Sequence, residues 1–451
     1  MKAGVTLRRR RGGRDAGWHL KLPAAGASRR EIQLPLTDGA VPGELSDLVQ
    51  AHARGSPLRL VAQIRTSRRV LALLGESGDS LAEVADDEVS AWTLGDSAAI
   101  TQWREVEIEL TGGDEELLRE AGRELRLKGL QPAAGAAKLA RAFGVSPQHH
   151  DGTQVDPCAA ASDVVLAYLR VQFRELTALD PLVRRDEPDS VHQMRTTIRR
   201  MRSTLRAFRG VLRREDTEHL QEELKWLGGQ LGGARDAEVL AARLAEGIRQ
   251  TPVEQVIGPV RASAAEHFAA ESRAAREEVL TTLGSRRYFS LLDDLDRLLA
   301  DPPTTPVAGR PARDVLPADV ARAYRRTARR MRHVSRVPTG QARDVALHET
   351  RKAAKQARYA GELVTPVIGK PAKRFTKRMK KVQSVLGEHQ DAVIAQRVDR
   401  DLGMRAQLLG ESAFTYGLLH ERETEHAHEL QARAARAWQR ASRRKATRWL
   451  P

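Results

Sequence analysis

The chain holds one cysteine, Cys158, in 451 residues and so cannot close a disulfide within itself; nothing in it points to an oxidising compartment. Aromatic residues are scarce, at 4%, which leaves few platforms on which a single-stranded nucleic acid could stack its bases. No apolar run approaches the roughly 20 residues that cross a bilayer, and residues 1–11 lack the apolar segment of a secretory leader. The expectation is a cytoplasmic protein without a membrane partner. Acid is also missing in one place where it should be common: residues 191–214, VHQMRTTIRRMRSTLRAFRGVLRR, contain eight arginines and no carboxylate.

Cation is what is present. Lys and Arg number 75 against 59 Asp and Glu, a formal charge of +16, which calls for an anionic partner such as nucleic acid, acidic lipid or polyphosphate. Alanine, leucine and arginine dominate, a mixture that favours helices, and the length implies two or three domains. Two punctuated stretches, residues 144–162 and 301–313, read as linkers, the second carrying four prolines. Residues 1–143 alternate apolar and polar positions in GWHLKLP, REIQLPL, LRLVAQIRTSRRVLALL and WREVEIEL, the pattern of a strand meander, and then turn helical over 114–130 and 136–144. From 163 onward the apolar spacing is three and four, so this part reads as an all-α bundle or pair of bundles. The fold expected is therefore an α+β chain of two domains, 1–143 and 163–440.

The helical part repeats itself. HQMRTTIRRMR (192–202) answers to HETRKAAKQAR (348–358): His192, Arg195, Arg199 and Arg202 match His348, Arg351, Lys355 and Arg358. Downstream, LGGARDAEV (231–239) answers to LGEHQDAVI (386–394), with Asp236 lying 44 residues after the first histidine and Asp391 43 after the second. Two local matches at nearly one spacing indicate a duplication, with halves at about 163–300 and 314–440. In a helix, His192, Arg195, Arg199, Arg202, Arg206 and Arg209 share a sector of roughly 100°, while Met194, Ile198, Met201, Leu205, Phe208 and Leu212 take the opposite side. A solvated face normally mixes signs, because like charges one turn apart repel. A face of one sign makes sense when an anion relieves it. Two more acid-free runs, residues 321–337 and 370–381, carry seven Lys or Arg each. If the halves pack about a pseudo-twofold axis, their basic faces converge on a dense polyanion. The aromatics in these runs, Phe208, Tyr324, Tyr359 and Phe375, are too few and too apolar in their placement for nucleic acid, and no duplex-reading motif is present. A phosphate polymer without bases needs only charge and donors.

The repeated histidine with cations three, seven and ten residues on, followed by the LG…D element, resembles the CHAD domain, whose members are α-helical and bind inorganic polyphosphate. The resemblance implies a two-fold helical domain with His192, Arg195, Arg199, Arg202, His348, Arg351, Lys355 and Arg358 as ligand contacts. Lys380 joins them on charge and place, as do Lys225, Arg235, Lys352, Lys377 and Lys381 less directly. Asp236 and Asp391 are expected to orient arginines. Partly protonated histidines would make binding pH-sensitive.

In the amino-terminal part, Arg8 and Arg10 fall at period two, with Lys21 on WHLKLP, Arg29 or Arg30 with Glu31, and Arg65 with Arg68 or Arg69 on IRTSRR. Glu105, Glu107 and Glu109 share one strand face. Charges of both signs facing inward would suit a barrel that holds a triphosphate, with carboxylates on a divalent ion; the alternative is a one-sided sheet with a solvated charged face. VTLRRR, GWHLKLP, LAEVADDEVSAW and WREVEIEL together resemble the CYTH family, antiparallel tunnel barrels that include metal-dependent triphosphatases. The resemblance implies Arg8, Arg10, Lys21, Arg65 and Lys138 as triphosphate contacts. It implies Glu107 and Glu109, with Asp87 behind them, as ligands to Mg²⁺ or Mn²⁺. The family's E-x-E-x-K first strand is not found: Met1-Lys2-Ala3 runs almost directly into GVTLRRR, so the barrel is expected to lack its first strand, through loss of activity or a start set too far downstream. The function expected is binding of inorganic polyphosphate. The alternatives are a metal-dependent inorganic triphosphatase that uses the helical domain to gather substrate and, behind it, general nucleic-acid binding.

Overall fold

The computed structural model describes residues 4–13, 15–23, 29–37, 39–94, 98–133, 138–144, 156 and 158–451, apart from the side chains of 234–236. Most of the stretch expected as the first linker lies outside these residues. The chain divides into two compact units, one spanning Ser56–Asp151 and the other Ala3–Gly55 with Gly152–Pro451.

The unit Ser56–Asp151 contains β4 (Ala62–Leu74), β5 (Ser80–Thr93) and β6 (Ala99–Leu110), an antiparallel meander in that order, and the helices α3 (Glu115–Leu127) and α4 (Lys138–Ala142). Asp114 caps α3 by accepting the Glu116 and Leu117 amides at 3.1 and 3.0 Å, which satisfies two of the amides a helix start leaves open. The short α4 packs on β4 and β5.

The other unit begins with β1 (Thr6–Arg10), β2 (Gly17–Pro23) and β3 (Arg29–Leu34), also an antiparallel meander. Its pleat sends Trp18, Leu20 and Leu22 to one face, where Leu45, Leu48 and Val49 close over them. Leu45 and Leu48 come from α1 (Gly43–Leu48) and Val49 joins it to α2 (Gln50–Ala53), helices that the sequence reading passed over. The barrel lacking its first strand expected for 1–143 is not found as one sheet: among the described residues six strands make two three-stranded sheets. Each meander is built from pairings local in sequence.

The helical part is as expected. It runs α5 (Ala161–Arg184), α6 (Ser190–Ala207), α7 (Arg214–Gln230), α8 (Gly232–Gln250), α9 (Val260–Leu283), α10 (Arg286–Ala300), α11 (Ala312–Val334), α12 (Gln341–Ile368), α13 (Lys370–Leu408) and α14 (Phe414–Ala441). In element order α5 answers to α11 and α6 to α12, while α7 and α8 together answer to the unbroken α13. Composition accounts for that difference. Four glycines sit in 228–233 but one in 383–388, and glycine weakens a helix interior by roughly 1 kcal/mol each. Between α12 and α13, Gly369 at φ 71° ends one helix and Pro371 suits the first turn of the next.

The apolar side of α6 is fully in the core: Met194, Ile198, Met201, Leu205, Phe208 and Leu212 are all at or below 1% exposure. Each such side chain contributes about 1.5–3 kcal/mol on burial, which fixes the rotation of α6 and so the direction of its arginines. The proline-rich stretch 301–311 is tied down by backbone bonds. The Ala161 and Ser162 amides donate to the Arg310 and Ala308 carbonyls at 2.9 and 3.0 Å, and the Arg213 amide donates to the Pro303 carbonyl at 2.8 Å.

Candidate functional site

Helices α6 and α12, which carry the two copies of the repeated motif, pack against each other, so cations from both halves meet. Arg195 on α6 donates from Nη1 to the Gly232 carbonyl at 3.1 Å. A Cβ on Gly232 would come 3.8 Å from Arg195 Nη2, and one on Gly387 would come 3.5 Å from Nε and Nη2 of Arg351. The glycine of each LG element therefore leaves room for the arginine of its own half, and the preceding Leu231 and Leu386 are core residues at 0% and 1% exposure. Asp391 stands 3.9 Å from Arg351 Nη2. Arg199 donates from Nη2 to Thr196 Oγ1 at 2.8 Å.

Lys355 sits half-buried among these groups. Burial is the main cause that pulls its ammonium down to about 7; Arg351 and Arg199, then Arg195, push the same way, and Asp391 resists. Two of those arginines come from α6 and one from α12, which places both repeats at one locus. His348 is also held below its ordinary value by burial and by Lys352. Arg202, half-buried near the end of α6, is lowered by burial and by Arg206. His192 is half-buried on the same helix, and Lys380, Lys225, Lys377 and Lys381 are exposed. Lys352 is paired with Glu349 at 2.7 Å. The side chains of Arg235 and Asp236 lie outside the described residues.

Arg358 departs from the pattern. It is 9% exposed, its guanidinium lies 4.4 Å over the Tyr359 ring, and its Nε is 3.7 Å from Glu362, which also meets Arg200 of the first half at 3.5 Å. A residue expected to face ligand instead joins an ion network inside the helical core, because Glu362 one turn on captures it. The aromatics of the basic runs are inward too: Phe208, Tyr359 and Phe375 are buried at 1%, 2% and 0%, and Tyr324 stacks on Trp438 at 5.7 Å.

On the first sheet, Arg8, Arg10 and Lys21 share one face, as their register requires. Glu31 gathers Lys21 at 3.3 Å, Arg8 at 3.6 Å and His19 Nδ1 at 2.9 Å. Burial works to raise the Glu31 carboxyl, but these donors outweigh it and hold it below the usual range. Arg10 is paired with Asp15.

On the second sheet, the register sets Arg68 against Asp87 and Asp87 against Glu105. Oxygens of Asp87, Glu105 and Glu107 lie within 4.8 Å of one another. Lys138 from α4 reaches all three, at 3.0, 2.6 and 2.7 Å, and Arg68 makes a two-pronged pair with Asp87 at 2.7 Å per bond. Burial opposes ionisation of Asp87, yet the bonds from Arg68 and Lys138 keep it low, and Lys138 is raised by the same carboxylates against its own burial. Glu107 lies in this cluster. Glu109 pairs in register with Glu83 and is not in the cluster. Arg65 pairs with Ser90; being three residues from Arg68, it points to the opposite face. The sequence reading missed Glu105 as a cluster member and did not separate Arg65 from Arg68, although strand parity distinguishes both.

Three hard oxygen donors in this arrangement fit Mg²⁺ or Mn²⁺, and the Lys138 ammonium serves as their counter-ion here. No helix among the described residues is long and apolar enough to cross a membrane.

Comparison with known proteins gives two family matches: the CHAD domain over residues 167–400 and the CYTH domain over residues 1–142. Two curated proteins of Mycobacterium tuberculosis, "Uncharacterized protein MT2285" and "Uncharacterized protein Rv2226", are each 36% identical over 440 residues, covering 93% of this chain and 83% of theirs. Among solved structures, PptA from Streptomyces chartreusis matches with a TM-score of 0.54 at 20% identity, over 62% of this chain and 100% of its own. The CHAD domain from the plant Ricinus communis matches at 0.48 and 24%, over 64% and 96%.

Proposed function

The chain belongs to the CHAD domain family, and from that premise we propose that it binds inorganic polyphosphate along the seam between its repeats, with His192, Arg195, Arg199, Arg202, His348, Arg351 and Lys355 as contacts and Lys380 at the periphery. The observation that carries the proposal is the gathering of Lys355 with Arg195, Arg199 and Arg351 from two helices. Like charges held together in a half-buried place destabilise the free protein, and a polyanion turns that repulsion into attraction. Guanidiniums and an ammonium suit phosphate oxygens, and the inward turn of the aromatics leaves nothing on these runs to hold a base.

The test is titration of long-chain polyphosphate, short RNA and duplex DNA at matched salt. The double variant Arg195→Glu with Arg199→Glu is expected to lose polyphosphate binding with its helical circular dichroism nearly unchanged. Unaltered binding would defeat the assignment. Equal binding of all three polymers at like charge density would indicate simple counter-ion release.

The carboxylate cluster favours a second reading, metal-assisted hydrolysis of inorganic triphosphate. Asp87, Glu105 and Glu107 would hold Mg²⁺ or Mn²⁺, which when bound supplies charge neutralisation at phosphate oxygens. Arg68 and Lys138, on the same face, are the groups available to meet phosphate. Phosphate release from tripolyphosphate with Mn²⁺ present, abolished in Glu107→Gln, supports this reading. No turnover in the unmodified protein removes it and leaves polyphosphate binding standing.

A further inference from the structure

One cavity lies beyond the seam. It has a volume of about 340 Å³ and is lined by Arg202, Arg206 and Arg209 from the end of α6 and beyond it, Arg214 from α7, and Arg322 and Arg326 from α11. Three carboxylates, Glu218, Glu222 and Asp319, also line it, and each has a cation of its own: Arg214 at 3.0 Å, Lys225 at 2.9 Å and Arg322 at 2.7 Å. Among the described residues Arg202, Arg206 and Arg209 have no ion pair, and Arg326 donates only to the neutral Gln356, at 3.1 Å. Burial, then Arg206 and Arg209, lowers the Arg326 guanidinium from its ordinary value. Glu222 acts on Arg202 and Asp319 on Arg209 only at longer range, so among the described residues four guanidiniums line one hollow without a direct carboxylate ion pair.

This cavity does not obey the duplication. The motif histidines are 156 residues apart, and at that spacing Arg206 answers to Glu362 and Arg209 to Thr365. In the second half, Glu362 is spent on Arg358 and Arg200. The seam cations are therefore common to both copies, while the Arg206 and Arg209 that meet Arg322 and Arg326 of the second half in the hollow have no cationic counterpart there. No aromatic lines it, and its apolar lining is Leu205, Ala207 and Ala323, so it offers no stacking surface for a base. Its volume is at the lower end of ligand pockets, about 300–1,000 Å³, and suits a few phosphate groups.

We infer that this hollow is a separate site for a compact inorganic oligophosphate, taking either a short free phosphate chain or the more highly charged terminal phosphate of a long one. The inference deepens the polyphosphate reading, since it shares the ligand chemistry, and it assigns chain-end recognition to residues outside the seam. Arg202 belongs to both places.

Calorimetric titration of the full chain with tripolyphosphate and with long-chain polyphosphate tests it, on the unmodified protein, on Arg206→Ser with Arg326→Ser, and on Arg199→Ser. The pocket variant is expected to weaken tripolyphosphate binding by at least about tenfold and long-chain binding by less. Arg199→Ser is expected to show the reverse order. An Arg206→Lys variant with intermediate tripolyphosphate affinity confirms that charge, and not packing, is read. The inference is overturned if the unmodified protein fails to bind tripolyphosphate, if the pocket variant binds it normally, or if both variants weaken both ligands equally. Binding of tripolyphosphate in the hollow without any long-chain binding would instead overturn the seam reading.

Discussion

Raising the pH from about 6 to about 8 should weaken polyphosphate binding because Lys355 must be charged to help hold it. The free protein keeps this ammonium at about 7, through burial and the neighbouring Arg351, Arg199 and Arg195, against the opposing Asp391. A polyanion laid over the cluster restores the ordinary preference for the charged form. At about pH 8, roughly nine-tenths of free Lys355 is neutral, so binding takes up close to one proton and loses about 1.4 kcal/mol, tenfold in affinity. Calorimetry in two buffers of different ionisation enthalpy measures that uptake directly. Lys355→Arg should make the profile flat, since guanidinium stays charged, and Lys355→Met should flatten it at the weaker limit. His348 is held below its ordinary value by burial and by Lys352. Without ligand the sign is opposite: the unfolded chain holds this proton more tightly between about pH 7 and the ordinary lysine value, so stability rises with pH there. A flat affinity profile with no buffer-dependent enthalpy, or the same slope in Lys355→Met, refutes the reasoning.

Two further outcomes concern stability. Gly361→Ala would set a Cβ 2.6 Å from Thr376 Oγ1 and 2.9 Å from Phe375 Cδ1; since Phe375 is fully buried, crowding should outweigh the gain in helix propensity and cost about 1 kcal/mol or more net, read as a lower urea midpoint. Asp399, buried beside Glu423 with Arg243 opposing, is pushed up to about 7, so the folded state binds its proton more tightly than the unfolded one and stability falls as pH rises from about 4 to about 7. Asp399→Asn should erase that slope and raise the neutral-pH midpoint by an amount on the order of 1–3 kcal/mol; a lowered midpoint shows that the carboxylate is needed as a partner.

Local periodicity made the helical part readable, because the face that buries Met194 and Ile198 also fixes where Arg195 and Arg199 point. The strands were individually readable for the same reason. Their grouping into two sheets was not, since it depends on pairing between distant segments, which alternation does not encode. Arg65 and Arg68 illustrate the limit: both are arginines on one strand, and only the register with Asp87 tells which meets the carboxylates. Arg358 fits the repeat as well as Arg202 does, but a single neighbour, Glu362, diverts it. The α1 and α2 segment carries just four core residues, Leu45, Leu48, Val49 and Ala51, too short a pattern to register against the surrounding strands.

The tied-down proline stretch between the halves has a consequence for their independence. A duplicated chain with a loose tether can lose, exchange or separately fold either copy. Here residues 303–310 accept backbone hydrogen from both the start of α5 and the stretch after α6, so cutting the tether would unmake the first copy's own ends. The tether is thereby part of the first copy's own fold, and a protease that finds the prolines in the sequence will not find that backbone free in the folded chain.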